Sequence, residues 1–194
     1  MGRRAIIMDR DGTVCEEVGY VNHLSRIRLL ARSAEAIRRA NDAGFQTVVV
    51  TNQAGVARGY FDEHLVDEVH DRVREMLGEG GARLDGLYYC PHHPEVGPPP
   101  YRKACDCRKP RPGMLLRARD EMGIDLVRSY MIGDSVRDIE AGHRAGATTV
   151  LVLTGYGRGE LEYQSPGWTV KPAHVADDLL DAVSWILARE AQAP

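Results

Sequence analysis

A short apolar run near the start of the sequence ends in two aspartates. Ile6-Ile7-Met8 is followed at once by Asp9-Arg10-Asp11-Gly12-Thr13. Short apolar runs bounded by turn residues are typical of buried strands, and open α/β sheets bind ligands at the carboxyl ends of their strands. The pattern predicts a strand over 5–8 with Asp9 and Asp11 at a ligand-binding edge; a polar turn with Asx hydrogen bonds is the alternative.

Strands and helices alternate along the rest of the chain. Four more strands are predicted, at 46–50, 84–89, 130–132 and 148–153. Ser33 and Asp62 are predicted N-caps of the first two helices, and three further amphipathic helices follow. This alternation predicts an α/β fold with a mostly parallel central sheet, a Rossmann-like three-layer α/β/α sandwich. No repeat or linker divides the sequence, so residues 1–194 are expected to form a single domain.

Composition excludes two classes of partner. The net charge of −3 and the isoelectric point of about 6.2 show no basic footprint for nucleic acid. No apolar run approaches the roughly 18 residues of a membrane span, and the run after Arg3 and Arg4 is too short for a signal peptide. We therefore expect a cytoplasmic protein that binds neither nucleic acid nor membrane. We also expect it to be a monomer.

Three predicted strands end in polar signatures, and parallel strands bring such ends to one edge of a sheet. The signatures are Asp9/Asp11, Thr51/Asn52 and Asp134/Asp138. Phosphoryl transfer needs carboxylates for a metal, donors for phosphate oxygens and a cation, which Lys109 would supply. Taken singly, each residue has a simpler interpretation. Thr51 could be an ordinary strand end, and Asp134 could be a helix cap. For Asp138 we favour the role of a capping carboxylate.

Paired cysteines form a second constellation in the middle of the chain. Cys90-x-His92 and Cys105-x-Cys107 offer three thiolates and an imidazole, the ligands of a closed structural Zn²⁺ site. The zinc-binding loop would cover about 90–107. Free cysteines are the alternative, and His93 could replace His92 as the ligand.

The order of the strand-end signatures resembles the four motifs of the haloacid dehalogenase superfamily of phosphohydrolases. The resemblance covers nearly the whole chain. It implies that Asp9 is the nucleophile, forming an aspartyl-phosphate, and that Asp11 is the general acid and then the base. It also implies Mg²⁺ held by the Asp9 carboxylate, the Asp11 backbone carbonyl and Asp134, with Thr51 and Lys109 binding the phosphoryl group. Dehalogenases of the superfamily lack the second aspartate, so Asp11 favours a phosphatase.

The short segments after Thr13 and between Thr51 and Lys109 imply a capless member of the superfamily. The zinc loop with Arg108-Lys109-Pro110 is similar to two groups within it, the D-glycero-D-manno-heptose 1,7-bisphosphate 7-phosphatases and the histidinol-phosphate phosphatases. Gly19-Tyr20-Val21, the stretch 51–59 and the stretch 88–94 are closer to the heptose enzymes.

This likeness implies a phosphorylated sugar as substrate, contacted by the loop near 17–20 with Gly19 and Tyr20, by Thr51, Asn52 and Gln53, and by Arg108. Ser135 stands where these relatives often carry lysine or arginine, which leaves one cation fewer for a second phosphate. Histidinol phosphate remains the alternative substrate. A polynucleotide 3′-phosphatase is disfavoured by the net charge, and a catalytically silent phosphate-binding module by the presence of both Asp9 and Asp11.

Overall fold

The computed structural model describes residues 2–192 and is built on a parallel sheet of six strands. Its strands are β1 (Ala5–Met8), β2 (Gln46–Asn52), β3 (Gly86–Cys90), β4 (Tyr130–Gly133), β5 (Thr148–Val152) and β6 (His174–Ala176). They lie in the order β3-β2-β1-β4-β5-β6, with every neighbouring pair parallel. The chain reverses its direction of travel across the sheet between β1 and β4, and ligands bind at such switch points.

Helices cover both faces of this sheet. They are α1 (Ser33–Asp42), α2 (Glu63–Glu79), α3 (Gly113–Met122), α4 (Val136–Ala145), the single turn α5 (Gly157–Gly159) and α6 (Leu179–Ala191). Short 3₁₀ turns occur at Leu24–Arg26, Leu126–Arg128 and Ser165–Gly167, and a π-helical turn at Glu160–Gln164. As predicted, the Asp62 side chain caps α2 by accepting a hydrogen bond from the Leu65 backbone N–H.

The central strand β1 contributes side chains to two separate cores because successive residues of a strand face opposite sides. Ile6 and Met8 pack with residues of α1, α2 and α6, whereas Ala5 and Ile7 pack with residues of α3 and α4. All four β1 residues are fully buried. The predicted three-layer α/β/α arrangement is therefore confirmed.

Two details of the sequence-based prediction are wrong. β6 was not expected, because His174–Ala176 has no apolar run, and it is the pairing with β5 that makes it a strand. Ser33 is not the N-cap of α1: Arg32 occupies that position in the left-handed conformation (φ 66°). Arg32 forms an ion pair with Asp178, a long-range contact that local sequence does not contain.

The loops over the carboxyl edge of the sheet are short, as the capless prediction requires. Residues 9–32 contain one 3₁₀ turn and isolated bridge pairings of Cys15 with Asp11 and with Leu29, which is too little structure for a covering domain. Among residues 2–192, no helix has the length and apolar character needed to cross a membrane.

Candidate active site

A cavity of about 230 Å³ lies at the carboxyl edge of β1, β2 and β4. All the residues predicted to bind substrate or magnesium line it: Asp9, Asp11, Gly19, Tyr20, Thr51, Asn52, Gln53, Arg108, Lys109 and Asp134. These positions come from four separate parts of the sequence. The parallel topology brings them together, as expected from the strand-end signatures.

Lys109 lies at the base of the cavity between two carboxylates. Its Nζ is 2.9 Å from Asp9 Oδ1 and 2.7 Å from Asp138 Oδ1, and it donates to the Val50 carbonyl at 2.9 Å. The Asp9 Oδ1 atom also accepts the Arg10 backbone N–H at 2.7 Å. Burial raises the pKa of Asp9 to about 7, opposed by Lys109 and assisted by the charges of Asp138 and Asp11.

Asp11 is held by the buried side chain of Arg10, which no sequence pattern singles out as functional. Arg10 Nε donates to Asp11 Oδ1 at 3.0 Å and Nη2 donates to Oδ2 at 2.9 Å. Gln53 Nε2 donates to the same Oδ2 at 2.9 Å and to Thr51 Oγ1 at 2.8 Å. The carboxylate and the Thr51 hydroxyl are therefore fixed by one network. The only local sequence signal for this network is the charged residue between the two aspartates.

Asn52 reaches the cavity edge but uses its side-chain amide on the backbone of Lys109. Its Nδ2 donates to the Lys109 carbonyl and its Oδ1 accepts from the Lys109 N–H, both at 3.1 Å. This reciprocal pair ties the end of β2 to the segment that carries the lysine. Asn52 thus positions Lys109, and its predicted contact with substrate stays a prediction.

The carboxylate of Asp134 sits in a cradle that only glycines permit. A Cβ on Gly12 would lie 2.0 Å from Asp134 Oδ2, and one on Gly155 would lie 2.1 Å from the same atom. Both glycines have positive φ, and the Tyr156 N–H donates to Oδ2 at 2.8 Å. Burial, with repulsion from Asp138 and Asp9, raises the pKa of Asp134 to about 8.

Asp9, Asp134 and Asp138 form a cluster able to hold a cation. One carboxylate oxygen of each lies within 4.8 Å of the others. Asp138 is already used: its Oδ2 accepts the Ser135 N–H at 3.1 Å in a capping box at the start of α4. This agrees with the expected capping role, and it leaves Asp9 and Asp134 as the side chains best placed for a metal.

The rim of the cavity is formed by residues 17–20 on one side. Gly19 (φ 78°) donates its N–H to the Glu17 carboxylate, and the Tyr20 ring packs edge-on against Tyr60 at 4.9 Å. The guanidinium of Arg26 donates to the carbonyls of Val18 and Tyr20 at 2.8 and 2.9 Å. The loop is thus held in shape by its own contacts.

Arg137 and Tyr156 also line the cavity, and neither was identified from the sequence. Arg137 is the second residue of α4, and its Nε donates to Ser135 Oγ at 3.3 Å. Tyr156 follows the Gly155 turn and is 51% exposed. The sequence does show an arginine two positions after Ser135. Whether its side chain faces the cavity depends on the helix that begins at Val136.

The cysteine residues of the middle segment converge as predicted. Cys107 Sγ lies 3.0 Å from Cys90 Sγ and 3.2 Å from Cys105 Sγ, and His92 Nδ1 lies 3.3 Å from Cys107 Sγ. These sulfur separations exceed a disulfide bond of about 2.05 Å, and all the cysteines are free thiols. His93 is turned away, because its Nδ1 accepts the N–H groups of Glu95 and Val96. His92 is therefore the histidine of the cluster.

This cluster contacts the cavity through Arg108, which follows Cys107. Arg108 Nη1 donates to the carbonyl of His92 at 3.3 Å. Burial lowers the pKa of Arg108, and the positive charge of Arg137 adds to that effect. The conformation of the loop around the cluster thus affects the position of the Arg108 side chain in the cavity.

Sequence and structure comparisons show that this chain is similar to known phosphatases. A family model for haloacid dehalogenase (HAD)-hydrolase-like proteins matches residues 106–182. The D-glycero-beta-D-manno-heptose-1,7-bisphosphate 7-phosphatase of Escherichia coli K12 is 45% identical over 152 residues, 78% of this chain and 80% of that protein. The protein of that name from Photorhabdus laumondii is 44% identical over 155 residues, 79% of this chain and 82% of its own length.

A solved structure agrees with the sequence comparisons. The D,D-heptose 1,7-bisphosphate phosphatase from B. bronchiseptica, crystallised with magnesium and phosphate, superimposes with a TM-score of 0.86 at 34% identity. The match covers 96% of this chain and 99% of that one. On this combination of sequence identity, coverage and fold, the chain belongs to the D-glycero-β-D-manno-heptose-1,7-bisphosphate 7-phosphatase family of HAD-like hydrolases.

Proposed function

We propose that this chain is a Mg²⁺-dependent phosphatase that removes the 7-phosphate of D-glycero-β-D-manno-heptose 1,7-bisphosphate through an aspartyl-phosphate. The proposal is supported above all by the position of Asp9, Lys109 and Asp134, which line one cavity. The relatives of this chain are named as phosphatases of this substrate. The β anomer is chosen because those relatives are named for it. Cytoplasmic location and a monomeric state remain predictions.

Asp9 is the proposed nucleophile. Because its Oδ1 takes hydrogen bonds from the Arg10 N–H and lies 2.9 Å from Lys109 Nζ, the carboxylate cannot rotate freely. An Asp9 oxygen attacks phosphorus and the bond from phosphorus to the sugar oxygen breaks, leaving phosphate on Asp9. Lys109 and Thr51 are placed to bind the phosphoryl oxygens during this step.

Asp11 is the proposed proton donor and acceptor. It gives a proton to the departing sugar oxygen and then takes one from the water that hydrolyses the aspartyl-phosphate. Arg10 and Gln53 hold its carboxylate on the same side of the cavity for both steps. The protein is regenerated with Asp9 and Asp11 in their starting protonation states.

Mg²⁺ fits the carboxylate cluster. Asp9 and Asp134 offer oxygen ligands, which this cation prefers, and their raised pKa values reflect buried negative charge that a cation would relieve. The backbone carbonyl of Asp11 is the third proposed ligand. When bound, the ion would neutralise charge that develops on the phosphoryl group.

Zn²⁺ fits the cysteine cluster. Zn–S bonds of about 2.3 Å in a tetrahedron place the sulfurs roughly 3.8 Å apart, slightly more than the separations of 3.0–3.5 Å between the three sulfurs here. Cys90, His92, Cys105 and Cys107 would fill all positions of the metal, so its proposed role is structural. Zinc would order the loop that carries Arg108 and Lys109.

Phosphate release with Mg²⁺ from both heptose 1,7-bisphosphate anomers and from histidinol phosphate tests the proposal. We expect kcat/KM for the β-bisphosphate to exceed that for histidinol phosphate by several hundredfold, roughly 3.5 kcal/mol in the transition state. Asp9→Asn should abolish release, whereas the matched change Asp120→Asn, at an exposed position outside the cavity, should not. A preference for histidinol phosphate would overturn the substrate, and an active Asp9→Asn variant would overturn the mechanism.

A further inference from the structure

The cavity offers little apolar surface to the carbon skeleton of a substrate. Among the described residues that line it, only Tyr20 and Tyr156 carry aromatic side chains, and Ala54 is the only aliphatic one. The other lining residues are charged, polar or glycine. A sugar presents C–H groups as well as hydroxyls, and aromatic rings commonly line ligand sites where such apolar surface is bound. The two tyrosines are therefore the side chains best suited to that surface.

The two tyrosine rings differ in how much of their surface is already used. The Tyr20 ring packs edge-on against Tyr60 and is 38% exposed. Tyr156 is 51% exposed and, within residues 2–192, packs against no other aromatic ring. The negative charge of Glu17 raises the pKa of the Tyr156 hydroxyl, and burial adds to the effect, so this hydroxyl lies near the loop 17–20. Tyr156 thus has the larger ring surface open to a ligand.

The backbone of Tyr156 is fixed to the proposed metal site. Its N–H donates to Asp134 Oδ2 at 2.8 Å, and its carbonyl accepts the Glu160 N–H at 2.9 Å in the turn that follows. Two residues earlier, Thr154 Oγ1 donates to the Gly12 carbonyl at 2.6 Å. Because these contacts hold the backbone before, at and after residue 156, the ring has a fixed origin beside Asp134.

We propose that Tyr156 determines substrate specificity by packing its aromatic ring against the C–H groups of the sugar carbons next to the cleaved phosphate. The inference rests on the proposed function, which supplies a phosphorylated sugar as substrate. Asp134 and the ring are connected through one backbone N–H, so a phosphoryl group bound beside Asp134 places the carbons attached to it close to Tyr156. Binding energy from these carbons lowers the barrier for the sugar phosphate and is absent for a phosphate compound without a sugar.

The test compares heptose 1,7-bisphosphate with acetyl phosphate, which has a phosphoryl group but no sugar. Both are assayed with wild-type protein, Tyr156→Ala, Tyr156→Phe and the matched control Tyr163→Ala, an exposed tyrosine of the same segment that does not line the cavity. Two quantities are measured for each protein. One is the ratio of kcat/KM for the bisphosphate to kcat/KM for acetyl phosphate, and the other is the Mg²⁺ concentration for half-maximal activity.

We expect Tyr156→Ala to lower the ratio by about tenfold, the effect of losing an aromatic side chain that packs against apolar surface. Tyr156→Phe keeps the ring, so its ratio should stay close to the wild-type value, as should that of Tyr163→Ala. The Mg²⁺ requirement of Tyr156→Ala should not change, because the backbone N–H that binds Asp134 remains.

Three results would overturn the inference: an unchanged ratio in Tyr156→Ala, an equal fall in Tyr156→Phe, or a fall accompanied by a higher Mg²⁺ requirement, which would assign the effect to Asp134. In each of these cases the wild-type preference for the bisphosphate still stands. A wild-type protein without that preference would overturn the proposed function together with the inference, so the two failures are distinguishable.

Discussion

Arg10 and Asp11 are adjacent in sequence and form a bidentate ion pair, with Nε–Oδ1 at 3.0 Å and Nη2–Oδ2 at 2.9 Å. Arg10 is only 1% exposed. A buried guanidinium in this position fixes both oxygens of the carboxylate that is proposed to exchange protons with substrate and water. Arg10 therefore belongs to the proposed active site, because it orients Asp11.

Arg10→Lys should lower kcat with little change in KM. Lysine keeps the charge but cannot bind both oxygens, so the Asp11 carboxyl group loses its fixed orientation; misplacement of this kind costs about 10- to 100-fold in rate. Steady-state kinetics and thermal unfolding of the same preparations separate a loss of activity from a loss of folded protein.

The control for this variant is a double-mutant cycle with Asp11→Asn. If Arg10 acts through Asp11, adding Arg10→Lys to the Asp11→Asn protein should cost much less than it does alone. An equal cost in both backgrounds would show that Arg10 has a separate role.

Asp9 and Asp134 should make the metal-free protein less stable as pH rises. Their pKa values are raised from 3.8 to about 7 and about 8, so the folded protein holds protons that the unfolded chain has released. The free energy of unfolding therefore falls as pH rises from about 4 to 8 and levels off above that window. Because a cation relieves the repulsion between the ionised carboxylates, stabilisation by Mg²⁺ should increase over the same window.

Thermal unfolding at about pH 5.5, 7 and 8.5, with and without millimolar Mg²⁺, measures this dependence. Asp134→Asn, which cannot ionise, should show a weaker dependence of the Mg²⁺ effect on pH. Equal stabilisation of the wild-type protein by Mg²⁺ at the lowest and highest pH would contradict the prediction.

Gly155→Ala should raise the Mg²⁺ concentration needed for half-maximal activity by tenfold or more. The new Cβ would lie 2.1 Å from Asp134 Oδ2, so the carboxylate must move away from its place beside Asp9. Magnesium titrations of activity measure the effect directly.

Gly59→Ala is the matched control for this substitution. Gly59 also has positive φ, 71°, but a Cβ there meets nothing within 4 Å. Both variants carry the strain of a left-handed alanine, about 1–2 kcal/mol, but only Gly155→Ala displaces a proposed metal ligand. A similar shift in the two titrations would attribute the effect to backbone strain.

Cys105→Ser should release zinc, lower the melting temperature and raise KM. The binding free energy of a structural metal is part of the folding free energy, and each kcal/mol that is lost lowers Tm by roughly 2–4 °C in a chain of this size. The rise in KM is expected because the His92 carbonyl, a hydrogen-bond partner of Arg108, lies in the same loop.

Metal analysis of the purified protein, together with thermal unfolding and kinetics, tests this prediction. Cys15→Ala is the control, since Cys15 is a buried free thiol outside the cluster and its replacement should leave the zinc content unchanged. Full zinc content in Cys105→Ser would remove Cys105 from the proposed ligand set.

Several parts of the cavity could be predicted because their signals are local. Apolar runs ended by Asp9, Thr51 and Asp134 predict strand ends, and parallel strands place those ends at one edge. The spacing of Cys90, His92 and the later cysteines likewise predicts a cluster. What local patterns did not reveal were β6, which is a strand through its pairing with β5, and the N-cap of α1, where Arg32 adopts the left-handed conformation and forms an ion pair with Asp178.

The α/β architecture and the chemical groups at the carboxyl edge follow from the sequence, because periodicity and strand-end residues are properties of neighbouring positions. Tertiary structure decided how those groups are held. Asn52 binds the backbone of Lys109 57 residues away, Gly155 makes room for Asp134, and Arg137 faces the cavity through Ser135 and Glu160. The contacts of Asn52 and Gly155 join segments that become neighbours only when the sheet forms, so no local pattern contains them.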